Sequence, residues 1–254
     1  MCTLIILFRP KHKWPLIIAG NRDEVLDRPW KKPHTHWNEF PSIIAGKDLL
    51  AGGTWLGINK EGMVATVLNR ADSIGPSKKK KSRGLLPLKV LKHSNINSAV
   101  EEISYLKGNN WKPFNLFIGN SKCAYWAKNN SNGDIKINKI IEGKHFLDNH
   151  DLNSMESPRL KYNCKKIFNL ENPNPDKNYW TPWKDILASK NHPAGMKLAA
   201  INIVNSGKNT DYGTSSSSII AIPSNTEKLK NHSKSIFLFN SGSPEKDNFC
   251  DITT

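Results

Sequence analysis

Cysteine is scarce in this sequence: four residues in 254, at positions 2, 123, 164 and 250, none in a C-x-x-C spacing. That is too few and too scattered for a disulfide framework in a chain of this length, and a reducing compartment is the expectation. Long apolar runs are missing as well. Stretches such as Leu4 to Phe8 and Leu198 to Ile203 fall far short of the ~20 residues that span a bilayer, which excludes a transmembrane helix and integral membrane association. The first apolar stretch has no basic segment ahead of it and runs into Arg9, Lys11 and Lys13 without small cleavage-type residues. No signal peptide is read there, and a cytoplasmic chain is expected. Acidic residues are in deficit, 22 against 37 basic, for a net charge of +15. Such an excess raises nucleic acid as a partner, yet no helix-turn-helix, zinc-finger or RNA-recognition pattern accompanies it. The one dense block, Lys78 to Lys81, reads as a solvated loop, so no nucleic-acid partner is expected. The single metal cue is His34-Thr-His36, whose alternate residues share a face if extended. Its placement reads as structural, and neither a metal nor a cofactor is expected.

What the chain does have is 37% hydrophobic residues, enough to build a core at this length. Residues 3–9 and 16–20 are short β-rich runs joined by a polar turn with Pro15, a hairpin signal. The first run is apolar on both faces, so its sheet is covered on both sides. Residues 22–42, with Pro29, Pro33 and Pro41, form an ordered excursion and no long helix. A second hairpin runs from Thr54 to Asn59, turns at Lys60-Glu61 and returns from Gly62 to Asn69, with Met63, Ala65 and Val67 on one face. After a loop at 71–81, Ser82 caps a helix to about Lys92, and the capping box Ser98-Ala-Val-Glu101 opens another to about Leu106. Strand patterns return at 114–118, 123–127 and 135–140. Ser157-Pro158 and Thr181-Pro182 start helices with an early proline, and strands follow at 198–204, 216–222 and 235–239. Antiparallel runs grouped around helical pairs give an α+β class, and nothing marks a linker, so a single domain over 1–254 is expected.

Cys2 is the first candidate for chemistry. Removal of Met1 would leave a cysteine with a free α-amine, so that nucleophile and base share one residue; the amine titrates at about 7.7–8.0 and a thiol at about 8.5. The competing reading is a cysteine that merely begins a strand. Asn21-Arg-Asp-Glu24 follows the second strand directly, and an antiparallel hairpin returns it beside residues 1–4. Arg22 there would favour the thiolate, and Asp23 would hold the guanidinium or the ammonium by charge-assisted hydrogen bonds. A surface ion cluster is the alternative.

Met1-Cys-Thr, Gly20-Asn-Arg-Asp-Glu24 and Arg28-Pro29 resemble the opening blocks of the NRDE family, also called the transport and Golgi organisation family. Further blocks match in order: Ala45-Gly-Lys-Asp48, Ala51-Gly-Gly-Thr-Trp-Leu-Gly57, Asn69-Arg70, Ser82-Arg-Gly84 and Phe114-Asn-Leu116, with Tyr212-Gly-Thr214 weaker. That family is similar to the cysteine N-terminal nucleophile (Ntn) hydrolases, and the resemblance implies a four-layer αββα sandwich. It also implies a Cys2 nucleophile tuned by Arg22, with Asp23 approximating an aspartate that the related hydrolases place apart from the arginine. Asn59, in Leu56-Gly-Ile-Asn-Lys-Glu-Gly62, is implied as an oxyanion donor, though a hairpin-turn asparagine reads equally well. Asn149, in Phe146-Leu-Asp-Asn149, is a second such candidate. Many members carry an arginine after Tyr-Gly-Thr where this chain has Ser215, so a late cation is absent or supplied elsewhere. Trp30, Trp37 and Trp55 read as core packing ahead of a pocket wall. The implied function is hydrolysis or acyl transfer at a carbon–nitrogen amide bond of a small-molecule substrate. The alternative is a non-catalytic protein on the same fold that handles haem or lipid metabolites.

Overall fold

A computed structural model describes residues 2–70, 80–130, 133–204, 211–244 and 249–252; Lys78 and Lys79 of the basic block lie outside them. The chain opens with an antiparallel pair, β1 (Thr3–Phe8) and β2 (Leu16–Val25). It then builds seven strands and two helices in one stretch: β3 (Trp30–His34), β4 (Ile43–Asp48), β5 (Leu56–Asn59), β6 (Val64–Asn69), α1 (Leu85–Leu91), α2 (Ile96–Ser104), β7 (Phe114–Gly119), β8 (Ala124–Asn129) and β9 (Lys136–Lys139). It returns with β10 (Gly143–Leu147), α3 (Pro158–Phe168), α4 (Thr181–Ala188), β11 (Tyr212–Ile222), α5 (Asn225–Asn231), β12 (Ile236–Ser241) and β13 (Cys250–Asp251). Two compact units result, residues 29–141 and the discontinuous pair 1–28 and 142–254.

The discontinuous unit is a six-stranded sheet in the order β10-β1-β2-β11-β12-β13. Its odd-numbered residues, Ile5, Leu7, Ile17, Ala19, Ile219 and Ala221, pack with Leu160, Ile167, Trp183 and Leu187 of α3 and α4. All six residues of β1 are buried, as an apolar run without alternation requires. A change such as Ile5→Ala in this layer costs about 2–5 kcal/mol.

The continuous unit is a seven-stranded sheet, β3-β4-β5-β6-β7-β8-β9. Met63, Ala65 and Val67 face α1 and α2, packing with Leu86, Val90, Leu91, Ala99 and Ile103. Trp37 belongs to this core, and Trp30 and Trp55 meet edge to face at 5.6 Å.

Four local expectations give way to longer-range forces. The charged run 21–24 continues β2, because β11 pairs with it as far as Val25. Residues 198–204 form no strand: a short 3-10 turn covers Lys197–Ala199, and only residues 199–203 are buried, while Leu198 and Val204 are exposed. The helix after Ser82 starts only at Leu85, with the Ser82 hydroxyl accepting from Gly84 N. Asn95 caps α2 through the Asn97 amide, so the helix begins before Ser98.

Candidate functional site

Cys2 lies one residue ahead of β1, and strand register decides its neighbours. Continued one residue beyond Thr3↔Asn21, the β1–β2 pairing sets Cys2 opposite Arg22. Continued two residues beyond Leu4↔Leu147, the β1–β10 pairing sets it opposite Asn149. On the far side of Arg22 the register gives Ser216. Directly opposed residues share a sheet face, so Asn149, Cys2, Arg22 and Ser216 form one row. Alternation sends Asn21 and Asp23 to the other, helix-covered face. There the Asn21 amide donates to Leu187 O and Ile201 O, both at 2.9 Å.

The Cys2 thiol donates to the Asp23 carbonyl at a long 3.8 Å. Burial pushes this thiol above its ordinary pKa, and the Asp23 carboxylate acts in the same direction; the bond to the Asp23 carbonyl and the Arg22 charge pull against them and are outweighed. Arg22 acts in the direction that favours the thiolate, and burial is the larger influence. A raised pKa favours the thiol form, so use of the sulfur as a nucleophile calls for a base.

Arg22 is buried, donates from Nη1 to Ser215 Oγ at 2.9 Å and stands 4.0 Å from the Glu24 carboxylate. Glu24, two residues on, shares its face; Asp23 does not. The Asp23 carboxylate is fully covered and accepts from Thr214 Oγ1 at 2.7 Å and from Arg159 Nη2 at 3.2 Å. A bulge between Thr214 and Ser216 places the Ser215 hydroxyl against Arg22, where it also donates to the Arg22 carbonyl at 3.0 Å. Where the resemblance implied a cation, this chain therefore has a serine holding Arg22. A second buried cation is present all the same: Arg159 of α3, which sequence reasoning did not single out.

Asn149 and Asn59 have contrasting surroundings. Asp148 pins the turn around Asn149, accepting from His150 N at 2.8 Å and from Ser157 Oγ at 2.5 Å. Asn149 itself is buried, and among the described residues its amide has no hydrogen-bond partner; its Oδ1 is fully covered. Ser216 is likewise buried with an unpartnered hydroxyl. Asn59, in the continuous unit, is saturated. Its amide donates to Leu91 O and His93 O, both at 2.9 Å, and its Oδ1 accepts from Met63 N at 2.9 Å. It caps the end of α1 and closes the β5–β6 hairpin, with no N–H left for an oxyanion. Asn69, at the other end of β6, is half-buried and makes no side-chain hydrogen bond among the described residues.

The class of fold is shared with solved amidohydrolases of the Ntn type. The N-acylethanolamine-hydrolyzing acid amidase orthologue of Caenorhabditis elegans aligns with TM-score 0.59 at 15% identity, over 86% of this chain and 92% of that one. Penicillin V acylase from Agrobacterium tumefaciens aligns with TM-score 0.55 at 14% identity, over 94% and 83%. A conjugated bile acid hydrolase from Clostridium perfringens gives 0.52 at 11% identity, over 100% and 97%. Two sheets, five helices among the described residues and these neighbours make the α+β, Ntn-hydrolase-like fold the observed one.

By sequence the chain belongs to the Transport and Golgi organisation 2 family, whose pattern matches residues 1–234. Relatives include an uncharacterized protein of Saccharomyces cerevisiae, 41% identical over 95 residues (34% of this chain, 30% of that protein). The human Transport and Golgi organization protein 2 homolog is 32% identical over 136 residues (49% and 47%). The matches span 30% to 47% of the lengths of these curated relatives. No helix among the described residues is long and apolar enough to cross a membrane.

Proposed function

We propose that the protein is an N-terminal-cysteine amidohydrolase or acyl-transfer enzyme acting on a small amide. The observation that supports this best is the row Asn149, Cys2, Arg22 and Ser216. It puts a thiol beside a buried cation and between two buried side chains, each with a polar atom that lacks a partner among the described residues. Uncompensated buried polar atoms are costly, and a bound amide that donates its N–H to Asn149 Oδ1 or accepts from the Ser216 hydroxyl removes that cost.

In the proposed reaction Met1 has been removed, and the Cys2 α-amine takes the thiol proton. The sulfur attacks the amide carbonyl carbon, and the resulting oxyanion accepts from the Asn149 amide. The C–N bond then breaks, and the leaving nitrogen receives the proton held by the α-ammonium. A free amine departs and a Cys2 thioester remains. Water, deprotonated by the same α-amine, attacks the thioester; the C–S bond breaks, the carboxylic acid leaves, and the sulfur recovers a proton. An amine in place of water gives acyl transfer. Arg22 offsets negative charge beside the sulfur, and Asp23 serves this site from the opposite face. All these roles fall within one domain spanning 1–254.

Intact-mass analysis after incubation with a panel of activated acyl compounds tests the reading. The expected result is a mature chain lacking Met1 that gains one acyl mass, with the gain absent in Cys2→Ala. Retained Met1 in natively produced protein, or acylation that persists in Cys2→Ala, overturns it.

A further inference from the structure

We infer that Arg159 is a positioning residue for the Cys2 site, working from the helix-covered face of the sheet. It holds the two residues that directly follow Cys2 and Arg22. This deepens the nucleophile reading above and rests on it.

Arg159 occupies the first turn of α3, after the N-cap Ser157 and Pro158. That is an unfavourable place for a cation, because the N-terminal end of a helix carries partial positive charge and favours anions. It is also an unusual place to bury one, since Arg159 is only 2% exposed. Both features are accounted for by what its guanidinium meets. Nη1 donates to the Thr3 hydroxyl and Nη2 to the Asp23 carboxylate at 3.2 Å. Nε reaches Leu198 O at 3.4 Å. The carboxylate partner is wholly covered, a pair that persists only when both charges stay together.

The consequence for Cys2 follows from connectivity. Thr3 is the residue after Cys2, and the Asp23 carbonyl is the group that accepts from the thiol. The same carbonyl accepts from Tyr212 Oη at 3.2 Å, and Thr214 holds the other carboxylate oxygen. Arg159 thus fixes the backbone on both sides of the nucleophile without touching it. It also neutralises the one carboxylate whose charge works against thiolate formation. The charged and titratable groups around this point are Arg22, Asp23 and Glu24 on β2, Tyr212 on β11, Arg159 on α3, and Asp148 with His150 after β10.

The test is the pH profile of Cys2 alkylation by iodoacetamide, read on the Cys2 peptide by mass spectrometry. It compares wild type, Arg159→Met, Arg159→Lys and the double variant Arg159→Met/Asp23→Asn, each with its melting temperature. In Arg159→Met the Asp23 carboxylate, no longer neutralised by Arg159, is expected to raise the midpoint by about one unit and slow neutral-pH alkylation about tenfold. Removing that charge in the double variant is expected to bring the midpoint back, which a general packing defect would not do. Arg159→Lys keeps the charge but loses the planar fork, so its midpoint stays and its plateau rate falls. A folded Arg159→Met with the wild-type profile overturns the inference, as does a double variant no faster than the single one. If Arg159→Met does not fold, Arg159→Lys decides: a rate equal to wild type at every pH overturns the inference. Alkylation reads the thiol without any substrate. A wild type that forms no acyl-enzyme therefore defeats the hydrolase reading, while the profiles still judge Arg159.

Discussion

Asn59 and Asn149 are both buried asparagines that follow or end a β-strand, and they differ in what their amides have left to give. In the β5–β6 turn every polar atom of Asn59 is engaged, with two donors on the end of α1 and the acceptor on Met63 N. In the turn after β10 the neighbours of Asn149 are pinned by Asp148, and its own amide has no partner among the described residues. A saturated asparagine stabilises a fold. A rigidly mounted, unsatisfied one is what an oxyanion donor looks like before substrate arrives. The sequence context, a strand followed by a polar turn, is the same for both, so the distinction lies in partners 32 and 34 residues away from Asn59.

The largest effect that would sharpen this contrast is expected at Asn59. Asn59→Ala loses three hydrogen bonds and leaves buried carbonyls unmet, for a loss of about 3 kcal/mol in stability. Urea unfolding measures it, and Cys2 reactivity in the folded fraction should be unchanged; a stable variant with slowed acylation would reverse the assignment. Next comes Asn149→Ala, expected to slow acylation on the order of 100-fold while shifting the urea midpoint little. Equal acylation rates in this variant and wild type would end its proposed role.

Ser216→Ala extends the comparison to the other end of the row. Replacing an unpartnered buried hydroxyl should leave the unliganded protein as stable or more stable by up to about 1 kcal/mol, seen as an unchanged or higher melting temperature. A clear loss of stability would mean the hydroxyl has a partner. The smallest effect concerns Glu102 on α2, which fastens the α1 end that Asn59 caps. Burial works against ionisation of its carboxyl, but hydrogen bonds from His93, Lys92 and Lys89 prevail and hold it at about 2. A depressed carboxyl contributes stability above its unfolded pKa of about 4.3 and loses it as pH falls through the folded value. Because the cluster is only partly buried and open to solvent screening, Glu102→Gln should cost only about 1 kcal/mol at pH 7, and the gap to wild type should close between pH ~4.3 and ~2 in acid unfolding curves.

Much of the fold was legible because apolar patterning is local. β1, the 54–69 hairpin and the Ser157-Pro158 helix start all follow from residues adjacent in sequence. Asn21 to Glu24 misled for the opposite reason: polar residues read as lying beyond the end of the strand, and only pairing with β11, some 190 residues on, makes them strand. β10 begins Gly-Lys-His and gains its strand form from pairing with β1. Of the candidate site, Cys2 and Arg22 were legible from position and hairpin geometry. The facing of Asp23 was not, since two adjacent charges suggest an ion pair until strand alternation separates them. Arg159 offered one clue, a cation in the first turn of a helix, but its partner lies 136 residues away.

The discontinuous unit also sets a timetable for synthesis. β1 and β2 leave the ribosome before residues 29–141, and at about 5–20 residues per second that intervening stretch takes on the order of 10 s to make. β10 is only then available to flank β1, and β11 follows later still to extend β2 and complete the surroundings of Arg22 and Asp23. Throughout that interval the β1–β2 hairpin carries apolar residues with neither its sheet neighbours nor its helices, the kind of exposed surface that is prone to aggregate. The environment of Cys2 is thus completed only after β10 and β11 are made, long after Cys2 itself.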